Sequence, residues 1–99
     1  MAQLSPLHIA STAPEMFWRV SSYKPAGRPA YVSAYEGKKT EDGCWSCDLF
    51  GCRQFRQEVP GGRATKSALR DAVRLLLSDM ATSGHITKAE LGATRHAVA

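Results

Sequence analysis

Long hydrophobic runs are missing from this sequence. The longest aliphatic stretch is Leu75-Leu76-Leu77, far short of the ~18–20 apolar residues that span a bilayer, so no membrane-crossing helix is expected. Cysteine is scarce and odd in number, three in all, which makes a poor disulfide framework and suggests reduced thiols. Residues 1–14 have neither a basic start nor a continuous apolar segment. That argues against a secretory leader and, with the thiols, points to the cytoplasm. There is no glycine-rich phosphate loop, no GxSxG and no paired-carboxylate signature, and His8, His85 and His96 fall in segments expected to be irregular or terminal. A chain of 99 residues builds one modest core and has little left to enclose a water-excluding site. The expectation is a protein that is not an enzyme.

What is present is an ordinary globular composition, 43% hydrophobic and 22% charged, which excludes a disordered chain. The net charge of +4 is unevenly spread: residues 44–74 hold six Lys/Arg against three Asp/Glu, whereas residues 75–99 hold two against two. A basic middle third is compatible with nucleic acid or with an acidic protein surface.

Residues 1–14 carry two prolines and little periodicity, and read as an irregular N-terminal arm before a single domain over 15–99. The run MFWRVSSY, Met16 to Tyr23, is rich in aromatic and β-branched residues and reads as a strand, with Trp18 and Val20 on one face and Phe17, Arg19 and Ser21 on the other. KPAGRP, Lys24 to Pro29, is a turn. A second strand is expected over Ala30–Glu36. Asp42-Gly43 then signals a turn into a third strand over Cys44–Phe50. Gly51 marks a bulge or strand end, and Arg53–Val59 either extends the third strand or forms a fourth. After Pro60-Gly61-Gly62, the apolar residues Leu69, Ala72, Val73, Leu76 and Met80 recur at helical spacing. Thr65 is the candidate N-cap of that helix, and Ser83-Gly84 the candidate stop. Thr87 would cap a short helix through Leu91. The fold class is therefore α+β: a three- or four-stranded antiparallel meander, one main helix on one face, and a short C-terminal helix. Trp18, Val20, Val32, Trp45, Leu49, Leu69, Val73, Leu76 and Met80 form the expected core. Met16–Tyr23 would be an edge strand able to pair across a dimer; the sequence leaves the oligomeric state open.

Three constellations bear on function. Cys44, Cys47 and Cys52 are spaced C-x2-C-x4-C, and with His85 or His96 folding back they would supply four zinc ligands. The competing reading is of structural cysteines, since Cys47 shares a strand face with Trp45 and Leu49, and no cofactor is expected on that reading. Second, Lys66, Arg70 and Arg74 form a stripe on the main helix, with Arg63 just ahead of it and Arg53 and Arg56 nearby. The stripe could grip phosphates or an acidic partner, or simply be the solvated face of a packed helix. Third, Phe17, Trp18, Tyr23, Tyr31, Tyr35, Trp45, Phe50 and Phe55 lie in or beside strands. Most belong to the core, but any left on the free sheet face near Arg19 could stack on bases or anchor a protein.

From Tyr31 to Gly84 the order of motifs resembles the N-terminal domain of HicB-type antitoxins. Glu41-Asp42-Gly43 stands at the turn, Asp48-Leu49-Phe50-Gly51-Cys52 at the short motif that follows, and Ala68-Leu69 with Ala72-Val73 in the helix. Cys47 and Phe50 replace the two motif prolines, and the family's DNA-binding module has no counterpart. The resemblance implies a protein that neutralises a small ribonuclease. In general style the chain is also similar to the small basic inhibitors that phages and plasmids encode, anti-CRISPR proteins among them. The expected function is non-catalytic binding, as an inhibitor or accessory factor acting on a host nucleic-acid-processing complex. Direct nucleic-acid binding and antitoxin activity are the alternatives.

Overall fold

In the computed structural model, residues 7–39, 45–46 and 53–91 are described. Five strands precede one long helix: β1 Leu7–Ala10, β2 Met16–Tyr23, β3 Tyr31–Lys39, β4 Trp45–Ser46, β5 Gln54–Glu58 and α1 Lys66–Thr82. All pairings are antiparallel. β2 runs the length of one edge of β3, from Met16↔Lys38 to Tyr23↔Tyr31. β4 and β5 therefore share the other edge, β4 opposite Lys38 and Lys39 and β5 opposite Tyr31 to Tyr35. Five strands fill four positions, and the fold is α+β with an open antiparallel sheet, as the residue pattern implies.

Three expectations are corrected. The N-terminal arm is not irregular throughout, because Leu7–Ala10 pairs with Phe17–Val20. Its Leu7 and Ile9 alternate with His8 and land beside Val20 and Trp18, and Ile9 is 1% exposed. That burial compensates for a segment too short to advertise itself. Over Phe17–Val20, β2 is therefore an internal strand between β1 and β3 rather than the expected edge strand. β3 also continues past Glu36 to Lys39, because Met16, Phe17 and β4 supply ladder partners that outweigh the poor strand propensity of Gly37 and the lysines.

The core lies between one sheet face and α1. Trp18, Val20, Val32 and Ala34 from the sheet meet Leu69, Ala72, Val73, Leu76, Leu77 and Met80 from the helix, all buried. Seven of the nine expected core residues are among these; Trp45 and Leu49 lie outside what can be described at side-chain level. Thr65 caps α1 by accepting from the Ala68 amide at 3.2 Å, worth about 1 kcal/mol. The helix stops in a Schellman turn: the His85 amide donates to Met80 O at 2.8 Å and the Gly84 amide to Ala81 O at 3.1 Å. Gly84 has φ +80°, the left-handed conformation this motif needs. A helical turn at residues 88–91 follows, with Thr87 Oγ1 accepting from the Glu90 amide at 3.2 Å. No helix among the described residues is long and apolar enough to cross a membrane.

Candidate binding face

Strand alternation sorts the sheet side chains into two sets. With Trp18, Val20, Val32 and Ala34 under α1, the helix-free face receives Phe17, Arg19, Ser21 and Tyr23 from β2, Tyr31, Ser33 and Tyr35 from β3, and Gln54, Arg56 and Glu58 from β5. Register then sets neighbours: Tyr23 lies opposite Tyr31, Ser21 opposite Ser33 and Arg19 opposite Tyr35. On the other side Glu58, Arg56 and Gln54 oppose Tyr31, Ser33 and Tyr35. A row of small serines thus runs between two rows of large side chains.

The first large row is a stacked ladder. The rings of Tyr23 and Tyr31 have centroids 5.2 Å apart and planes inclined by 24°. The guanidinium carbon of Arg56 sits 3.7 Å from the Tyr31 centroid. Because β2 and β5 flank β3 on opposite edges, Tyr31 is held between the other two groups. Tyr23 is 39% exposed and Arg56 is exposed. Among the described residues the Tyr31 ring is the partner of Arg56, and no acceptor takes its N–H groups. A guanidinium held flat by an aromatic ring keeps its in-plane donors for a phosphate or a carboxylate.

The second row is hydrogen-bonded. Gln54 Nε2 donates to Tyr35 Oη at 3.1 Å and to Ser33 Oγ at 3.3 Å. Ser33 Oγ in turn donates to Phe55 O at 3.3 Å. Ser33 is fully buried, small enough to lie beneath its larger neighbours with its hydroxyl satisfied. These bonds fix Gln54 and Tyr35 in place beside the ladder.

A polar cluster closes the other face at one end of the core. Glu36 is 6% exposed and accepts from Arg53 Nε at 2.8 Å, Arg53 Nη2 at 2.5 Å and Ser11 Oγ at 2.7 Å. The Arg53 hydrogen bonds hold its carboxyl below the usual range against the opposing effect of burial, and Ser11 adds to this. The same contact pushes Arg53 up. Arg53 Nη1 lies 3.0 Å from His85 Nδ1. Arginine can only donate, so any hydrogen bond in this contact is accepted by Nδ1. The Trp18 indole donates to His85 O at 3.2 Å, and Phe55 packs 4.6 Å from the His85 ring. This cluster joins β3, β5, the β1–β2 turn and the end of α1.

The six basic residues singled out from sequence are therefore dispersed. Arg53 is committed to Glu36, while Arg56 belongs to the Tyr31 ladder. Lys66 and Arg74 are exposed and Arg70 is half-buried along one flank of α1, on the opposite side of the sheet from the ladder. Arg63 is exposed ahead of the helix. Cys44, Cys47, Cys52 and His96 lie outside the described residues, so the zinc expectation does too. No group of three or more potential metal ligands occurs among the described residues. Sequence reasoning missed Glu36, although its place in the Val32-Ala34-Glu36 alternation put it on the buried face. No family model, no curated protein and no solved structure matches this chain.

Proposed function

We propose that this is a non-catalytic binding protein, an inhibitor or accessory factor for a nucleic-acid-processing complex, and that its contact surface is the helix-free face of the sheet. The observation that carries the reading is the Tyr23–Tyr31–Arg56 ladder. Tyrosine and arginine are the residues most often found at the energetic centres of interfaces. Here they are ordered before any partner arrives, so little side-chain freedom is lost on binding. The small size of the chain and its net charge of +4 favour a partner with an acidic or phosphate-bearing surface.

The test is affinity capture from host lysate with three proteins: wild type, a ladder variant (Tyr31→Ser with Arg56→Gln) and a helix variant (Lys66→Gln with Arg74→Gln). The reading requires that identified nuclease, polymerase or helicase components come down with wild type and the helix variant, and are lost with the ladder variant. Capture that depends on the helix instead moves the contact surface to α1. Recovery of one small basic ribonuclease in stoichiometric amount would replace the reading with the HicB-like antitoxin.

A further inference from the structure

We propose that the ladder is a platform for single-stranded nucleic acid, with a base stacked on the outer face of Tyr23 and a phosphate held by Arg56; this rests on the reading that the helix-free face is the contact surface. The geometry of the ladder is one-sided. One face of the Tyr23 ring meets Tyr31, and the residue is 39% exposed. Tyr23 is the last residue of β2, and its side chain is exposed. A further flat π-system can therefore extend the stack in the direction that Tyr31 and Tyr23 already set. Stacking of that kind accepts any base, because every base has a π-face.

The charges on this face suit a strand with an anionic backbone. Its described side chains include two arginines, Arg19 and Arg56, and one acid, Glu58, with exposed His8 on β1. The Arg56 guanidinium carbon lies 3.7 Å from the Tyr31 ring centroid, on an exposed side chain whose fork of N–H donors suits phosphate oxygens. Tyr35 and Gln54 offer polar atoms on the same face, beyond the serine row. A duplex fits poorly. Its bases are already stacked on each other, so Tyr23 would gain nothing, and unstacked bases are what aromatic sheet surfaces take up. An acidic protein surface would satisfy Arg56 but would make no use of the exposed ring of Tyr23.

The experiment is fluorescence anisotropy of a labelled oligothymidylate, the matching oligouridylate and a mixed-sequence duplex, titrated with the whole protein at two salt concentrations. The expected result is saturable binding of the single strands, weakened by salt, with markedly weaker binding of the duplex. Tyr23→Leu should lose about tenfold in affinity, or about 1.4 kcal/mol, while Tyr23→Phe stays close to wild type. Arg56→Gln should weaken binding and flatten the dependence of log affinity on log salt by about 0.7. The Lys66→Gln, Arg74→Gln protein should bind as wild type does. No single-strand binding by wild type at low salt, equal affinity for duplex, or losses that follow the helix variant each overturn the proposal. Should Tyr23→Leu fail to fold, as a melting curve would reveal, Arg56→Gln and Tyr23→Phe decide the matter. A protein that ignores oligonucleotides yet captures its complex through the ladder refutes this inference alone and leaves the binding reading standing.

Discussion

Arg53 grips Glu36 with two separate nitrogens, Nε on one carboxylate oxygen and Nη2 on the other. The arginine side chain is 46% exposed and the glutamate 7%, so the pair spans the boundary of the core. Its arginine end remains in contact with water, and its carboxylate end depends on the arginine for compensation.

Replacing Arg53 with Met should therefore destabilise the protein by about 1–3 kcal/mol, because a buried carboxylate loses its partner. Adding Glu36→Gln to that variant should recover part of the loss. Urea denaturation of the two single variants and the double variant checks this; strictly additive losses would mean that the two side chains are not coupled.

Acid should act on the same pair. Glu36 is held below its ordinary value of 4.5 in the folded protein, so the unfolded chain takes up its proton first as pH falls. Its stabilising contribution is complete above the unfolded value and is lost as pH drops through the lowered folded value. Denaturation midpoints measured from neutral to strongly acid conditions should fall for wild type in that window. The Glu36→Gln protein should have a flatter profile there, and profiles of equal slope would count against the assignment.

Gly84→Ala should cost about 1 kcal/mol, since its φ of +80° disfavours any residue with a Cβ. There is open space around the added methyl group, so the loss comes from backbone conformation rather than from a clash. Thermal melting measures it, and an unchanged melting temperature would mean that the Schellman turn tolerates another geometry.

Met80 and Leu75 lie on opposite sides of α1, fully buried and 48% exposed. Met80→Ala should cost about 2–5 kcal/mol through lost burial and the cavity left behind. Leu75→Ala should stay within about 0.5 kcal/mol of wild type. Chemical denaturation of both variants separates the two faces; similar losses would mean that the outer face of the helix is covered.

The elements that carry their own periodicity were legible from sequence. Met16–Tyr23 alternates with period two, and Leu69, Ala72, Val73, Leu76 and Met80 follow the helix. Thr65, Gly84 and Thr87 each carry a local signal for a cap or stop. Leu7–Ala10 was not legible, because a four-residue strand is specified by the partner it docks on rather than by its own pattern. The same limit hid the candidate site. Tyr23 and Tyr31 were recognised as aromatic, but their stacking requires the β2–β3 register, and the placement of Arg56 requires β5 to return to the same strand. Arg53 and Arg56 look alike in sequence, yet their side chains point to opposite faces, and a one-residue difference in strand parity gives them different roles.

The β1–β2 turn is fastened to the far end of α1: Thr12 Oγ1 donates to Gly84 O at 2.7 Å, and the Thr12 amide donates to His85 O at 3.0 Å. These bonds join positions 72 and 73 residues apart, and His85 O also receives the Trp18 indole. On the ribosome, the hairpin of β1 and β2 is complete long before its clasp has been synthesised. Until His85 emerges, Trp18 has neither its hydrogen-bond acceptor nor the helix that covers it, so the nascent hairpin waits with its apolar side open. Final closure is a late event between distant parts of the chain, the kind of contact that slows folding. Truncation ahead of Gly84 would therefore be felt at the opposite end of the sequence, in the loosening of the first strand.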